Sequence, residues 1–137
     1  MRELSAGGLK RAIQAKLRKL AIERDKSCVV GQHLDLLPGT WHYCGPTKKK
    51  GGGLVVQAEH LVGRANSASY GDMDNIILLC KRHHFYFKQQ CGALYWEIVR
   101  QHIGKKRWDK VQAWEKDKKP HRIYRKDWED ILTGLTI

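Results

Sequence analysis

The sequence predicts an α+β domain in which a short two-stranded unit and the helix after it are flanked by helices from both ends of the chain. Three observations predict it. Apolar residues recur at helical spacing over residues 9–24 and again through the last third of the chain. Between these regions, residues 54–58 (LVVQA) have the β-branched apolar character of a strand. Residues 59–88 then gather acid, imidazole, amide and thiol groups at a density that a bound metal explains. At 137 residues the chain is one domain with a modest core, the size at which a metal staple helps.

The first helix is expected over residues 9–24. Leu9, Ala12, Ile13, Leu17, Leu20 and Ala21 form its apolar stripe, and Lys10, Arg11, Lys16, Arg18, Lys19 and Arg24 cover the rest. This is either a packing helix with a wet basic face or an arm that contacts phosphate, and the two are compatible. Residues 27–53 read as irregular. Cys28 and Cys44 bracket a loop, and Cys44-Gly45-Pro46 has the look of a turn at a metal knuckle. Lys48, Lys49 and Lys50, followed by three glycines, form a basic loop that touches phosphate or caps a solvated hairpin.

The strand at 54–58 delivers Glu59 and His60. A polar loop spans 61–73, and a short second strand covers 76–79. A helix starts at His83 or His84 and runs to about Gln90, with Gly92 as an interruption. Tyr95, Ile98, Val99 and His102 share one face of the next helix, with Gly104 as its C-terminal cap. Trp108, Val111 and Trp114 mark another helix, stopped by Pro120. Asp127 is expected to N-cap a last helix that carries Trp128, Ile131, Leu132 and Leu135. Trp96, Trp108, Trp114 and Trp128 read first as core or interhelix contacts.

The net charge is +12 and the pI about 9.7. Residues 1–26 hold eight Lys/Arg against three acids, residues 27–80 four against four, and residues 81–137 fourteen against seven. A neutral centre between two basic ends suits a protein that grips a polyanion and works on it in the middle. No stretch is apolar enough for a membrane span or a signal-peptide core, so the expected setting is the cytoplasm, where disulfides are rare. Four cysteines there point to metal or to buried thiols.

Two sites are interleaved in the motif region. Cys80-x-x-His83 is half of a tetrahedral zinc site, and Cys28 and Cys44 supply the other half, with Cys91 and His42 as competing ligands. Glu59, His60, Asn75 and His84 have the chemistry of a divalent-metal site for phosphodiester hydrolysis. Glu59 and His84 ligate a hard or borderline cation, His60 is an imidazole able to act as a base near neutral pH, and Asn75 orients His60 or its loop.

With these residues in view, the sequence resembles the HNH endonucleases. Glu59-His60, then Asp74-Asn75, then Leu79-Cys80-Lys81-Arg82-His83-His84 with Lys88 follow their pattern. The resemblance implies a ββα-metal (His-Me finger) fold with a structural Zn²⁺ and added terminal helices. It implies His60 as general base, Glu59 and His84 as ligands of a catalytic Mg²⁺ or Mn²⁺, and Asn75 in support. Two departures stand out: His83 replaces the second Cys of the usual Cys-x-x-Cys, and the first Cys pair is stretched. A narrower similarity, to the phage NinG (Rap) recombination proteins, covers about 80 residues through AEHLVGRANS, YWEIVRQHIGKKRWDKVQAW and KPHRIYRKDWEDI. It implies a DNA endonuclease acting on branched recombination intermediates, Holliday junctions and D-loops among them, in host cytoplasm if the chain is phage-encoded.

The expected organisation is a basic helical arm (1–26), a zinc-stabilised HNH nuclease core (27–104) and a basic helical extension (105–137). Arg64, Arg82 and Lys88, with Lys48, Lys49 and Lys50, are the expected DNA contacts. The partner is branched DNA, with a homodimer suiting paired cuts. Two alternatives stand beside this reading: an HNH nickase for packaging or homing, and a zinc-stabilised nucleic-acid-binding module without enzymatic activity.

Overall fold

The computed structural model describes residues 4–36, 44, 55–63, 67–117 and 123–136. It is an α+β structure built on one antiparallel strand pair, β1 (Val56–His60) and β2 (Ile76–Cys80), in which Val56 lies opposite Cys80 and His60 opposite Ile76. Ile76, Ile77, Leu78 and Leu79 are all fully buried. At about 1.5–3 kcal/mol for each buried aliphatic side chain, they make β2 the axis of the molecule.

Strand alternation divides the core in two. Val56, Ile76 and Leu78 pack with Ile13, Leu17, Ala21 and Tyr70, and Trp128, Ile131, Leu132 and Leu135 close that side. Ile77 and Leu79 pack on the other side with Val29, Val30, Phe87, Tyr95, Ile98 and Val99, against which Trp96, Trp108 and Trp114 lie. The basic first helix and the last helix therefore share a core with the strands.

α1 (Ala6–Asp25) is longer at both ends than its apolar stripe predicts. Ser5 caps it by accepting the Gly8 N–H at 3.0 Å, and Leu9, Ile13, Leu17 and Ala21 are buried at four-residue intervals. Lys26, at φ 69°, ends the helix and turns the chain back. The outer edge of β2 is then closed from this side. Leu78 N–H donates to Asp25 Oδ2 at 3.0 Å, and Val29 N–H donates to the Leu78 carbonyl at 2.8 Å. 3₁₀ turns follow at Val30–Leu36.

The first strand begins at Val56 rather than residue 54 and runs on through Glu59 and His60, so these polar residues are part of the strand. The loop expected over 61–73 contains a short helix, α2 (Ser67–Tyr70), and a 3₁₀ turn at Met73–Asn75 leads into β2. After Cys80 the backbone forms a π-helical turn (His83–Phe87) continuing into α3 (Lys88–Gln90). Gly92 does not merely interrupt: it opens α4 (Gly92–Ile103), which buries Tyr95, Ile98 and Val99 and ends at Gly104 with φ 82°, a conformation that favours glycine. α5 (Lys105–Lys116) ends before Pro120, which lies outside the described residues.

α6 (Arg125–Thr136) corrects the expected cap. Asp127 sits within the first turn, and its Oδ2 accepts the Tyr124 N–H at 2.7 Å. The carboxylate thus serves the helix start from inside the helix, where the positive end of the helix dipole favours it. Among the described residues no helix is long and apolar enough to cross a membrane.

Candidate functional site

The two sites are positioned by the strand ends and the turn that follows them. Successive helical residues point roughly 100° apart. His83 and His84, at the start of the π-helical turn, therefore face different neighbours: His83 turns to the cysteines and His84 to Glu59.

His83 Nδ1 lies 3.1 Å from Cys80 Sγ, 3.4 Å from Cys28 Sγ and 3.8 Å from Cys44 Sγ. The four ligand atoms all fall within 4.8 Å of one another. A tetrahedral zinc with Zn–S about 2.3 Å and Zn–N about 2.0 Å separates its S and N ligands by roughly 3.5 Å, so the spacing fits. Cys28, Cys80 and His83 are buried and Cys44 is partly covered. Hydrogen bonds from Cys28 and Cys44 pull the Cys80 thiol far down, while the same contacts with Cys44 and Cys80 push the Cys28 thiol far up. The cluster alone thus favours one thiolate shared among three sulfurs. A divalent cation resolves that competition by taking all three as thiolates. The set is compatible with a structural zinc and is the one expected from the sequence. Cys91 instead packs against the core outside this cluster, and His42, Gly45 and Pro46 lie outside the described residues.

Gly31 is a member of this site that the sequence reading missed. A Cβ there would meet Cys44 Sγ at 2.4 Å, so only glycine lets the thiol approach. Its signal was its place three residues after Cys28.

Glu59 Oε2 meets His84 Nδ1 across the gap between β1 and the turn, and Glu59 Oε1 lies 3.5 Å from Lys88 Nζ. His84 and Lys88 share a helix face at i, i+4. Burial pushes the Glu59 carboxyl up, but the hydrogen bond and charge of His84, joined by Lys88, outweigh it and hold Glu59 below the usual carboxylate range. Lys88, an expected DNA contact, is engaged here, with Nζ 5.6 Å from the Tyr95 ring centre and 5.4 Å from that of Trp96. The Tyr95 hydroxyl is buried without a hydrogen bond, and burial first, then the Glu59 charge, raises its pKa well above that of an ordinary phenol.

His60 follows Glu59 on the strand and turns to the opposite face. Its Nε2 lies 3.0 Å from the Tyr70 carbonyl and its ring 4.6 Å from the Tyr70 ring. A carbonyl only accepts, so Nε2 donates; when the ring is neutral its lone pair then sits at Nδ1, a buried atom. The structure thus brings Glu59, His84 and Lys88 together and sets His60, the next residue of the strand, on the other face against Tyr70.

Asn75 is fully buried and orients the loop after His60 rather than the imidazole itself. Its Oδ1 accepts the Val62 N–H at 2.7 Å, and its Nδ2 donates to the Ser69 carbonyl at 3.2 Å. Arg82 is half-buried at the start of the π-helical turn, while Arg64, Lys48, Lys49 and Lys50 lie outside the described residues.

Two basic residues hold the turn that carries Asn75. Arg24 Nη1 donates to the Met73 carbonyl at 2.6 Å, and Arg107 Nε to the Asp74 carbonyl at 2.8 Å. Both guanidiniums also reach the Ile76 carbonyl. Nothing marks these two among 26 Lys and Arg in the sequence. Asp25 did carry a signal, since an acid in the last turn of a helix opposes the helix dipole and needs another reason to be there.

No protein-family model, curated protein or solved structure matches this chain.

Proposed function

We propose that this chain is an HNH-type, metal-dependent DNA endonuclease, with β1, β2 and the turn from His83 as a ββα-metal core and the Cys₃His cluster as its zinc staple. The observation that carries the reading is the meeting of Glu59 with His84 one residue from an imidazole whose ring is fixed by a backbone carbonyl. One carboxylate and one imidazole leave most of a cation's positions to water and substrate phosphate, as Mg²⁺ and Mn²⁺ sites in nucleases require. The cation would stabilise negative charge on the departing 3′ oxygen.

His60 takes a proton from the attacking water at Nδ1 while Nε2 stays on the Tyr70 carbonyl. The water oxygen bonds to phosphorus as the P–O3′ bond breaks, and the 3′ oxygen leaves with the electron pair. Asn75 keeps the loop after His60 in place. Lys88 balances the Glu59 charge. The resemblance to the NinG recombination proteins extends the reading to branched DNA, and a symmetric dimer is the simplest route to paired cuts.

The test is cleavage of a labelled four-way junction and a matched linear duplex with Mg²⁺ or Mn²⁺, using wild type and His60→Ala. Junction cutting that the variant loses is the expected result. Equal cutting of all duplexes keeps the nuclease and removes the branch preference, leaving the packaging or homing nickase. Binding without cutting in every metal overturns the enzyme and leaves a zinc-stabilised nucleic-acid-binding module.

A further inference from the structure

Phe85 and Tyr86 are 46% and 55% exposed, although they immediately follow His84 in the π-helical turn. Among the described residues the other large apolar side chains this exposed are Leu4 and Tyr124, which stand apart from this turn in the sequence. The Phe85 ring packs edge-on against the His84 imidazole, with centroids 4.7 Å apart. Lys81, just before the turn, is exposed, and the chain carries a net charge of +12. Adjacent uncovered rings beside a charged site mark a surface built to meet a partner.

We infer that Phe85 and Tyr86, roughly 100° apart on the helical turn, each offer a ring on which an unpaired DNA base stacks next to the Glu59–His84 pair, the two rings together making the stacking platform. The inference rests on the reading that this site works on DNA, and it names the structural feature of the DNA that is recognised. A base offers a flat π-face to an aromatic ring whatever its sequence, while its phosphates answer the basic surroundings. In a continuous duplex those faces are hidden by stacking, so the platform selects nucleotides at a branch, gap or fork. A protein partner would meet the same rings, but it would not require the positive surroundings.

The experiment places 2-aminopurine at an unpaired position beside the branch of a forked DNA and measures its fluorescence and binding without added Mg²⁺ or Mn²⁺. The variants are Phe85→Leu/Tyr86→Leu, which keeps apolar bulk and removes the π-faces, and Lys81→Ala. Wild type is expected to quench the probe and to prefer forked DNA over blunt duplex. The double variant is expected to lose the quenching and roughly 5- to 150-fold of the forked-DNA affinity for each stacked base, with duplex affinity unchanged. Lys81→Ala is expected to weaken forked and blunt DNA alike. Equal losses on both DNAs in the double variant, or no loss, overturn the platform. So does a wild-type self-association that the double variant abolishes, since the rings then serve a protein contact. The signal is read without cleavage, so a protein that stacks but never cuts overturns the nuclease reading alone. A protein that cuts with no response to the double variant overturns the platform alone.

Discussion

Fully buried Asn75 accepts the Val62 N–H at its Oδ1 at 2.7 Å. The same side chain donates to Ser69, and the Asn75 carbonyl accepts the Leu61 N–H at 2.8 Å. The two residues after His60 are thus tied to the residue before β2. Replacing Asn75 with Ala leaves the Val62 N–H buried without its acceptor, at a cost of about 1–3 kcal/mol. Urea unfolding should show this loss. Asn75→Asp keeps an acceptor for Val62 but sets a carboxylate against the Ser69 carbonyl, so it should not restore wild-type stability. Equal stability of wild type and Asn75→Ala would mean that the loop does not depend on this side chain.

Half of the clustered ligand set is local. Cys80 and His83 are three apart at a chain reversal, and the open question was which distant ligands join them. Periodicity placed Tyr95, Ile98 and Val99 on the buried face of α4, and Gly104 at its end. The strand before the site was read two residues early because Glu59 and His60 look unlike a strand. They are polar, and a local pattern is expected to break where a functional site sits. Asn75 was legible as a supporting amide, but its partner, the backbone of Val62, has no sequence signature. The guanidiniums of Arg24 and Arg107 were hidden for the same reason, since carbonyl acceptors are anonymous.

The Gly31 position makes the metal cluster testable without touching a ligand. A Cβ at Gly31 would lie 2.4 Å from Cys44 Sγ, so Gly31→Ala must displace the thiol or the 3₁₀ turn. Zinc content measured on the purified protein should be one per chain for wild type and lower for Gly31→Ala. Cys80→Ser should remove most of it. Because structural zinc contributes on the order of 10 kcal/mol of binding energy that is also folding energy, a chelator should lower the Tm sharply in wild type. A wild type without zinc, or one whose Tm ignores the chelator, would remove the staple from the fold.

Arg24 and Arg107 converge on the Ile76 and Met73 carbonyls from α1 and α5. Arg107→Met keeps the apolar stem and loses the charged hydrogen bonds, at about 1.5–3 kcal/mol. Arg24→Met should cost a similar amount. Each single variant leaves the Ile76 carbonyl one of these two donors, whereas the double variant removes both; the Met73 carbonyl still accepts the Ile76 N–H. The double loss should therefore exceed the sum of the singles, because a buried acceptor without a partner carries its full desolvation cost. Strict additivity in denaturant unfolding would mean that the two guanidiniums act independently.

The pair formed by His33 and His102 sets an acid limit on stability. His33 Nε2 lies 3.2 Å from His102 Nδ1, close enough for one shared N–H. Burial, the largest influence, holds His102 below the ordinary histidine value of 6.5, and the charges of His33, Arg107 and Arg24 add to it, while Asp25 opposes them. The unfolded chain therefore binds a proton at His102 more readily than the folded one. The stabilisation from the neutral ring is fully present above about pH 6.5 and is lost as pH falls from there toward the lowered folded value. Below that value the loss stops growing, since His102 is protonated in both states. Thermal unfolding of the zinc-loaded protein between pH 7.5 and 5.5 should show a falling Tm. His102→Gln, which keeps a polar partner for His33 but does not titrate, should show a shallower fall. The comparison is made between the two proteins because every other acid-sensitive group is common to both. Parallel curves would assign the acid sensitivity to those other groups and not to the His33–His102 pair.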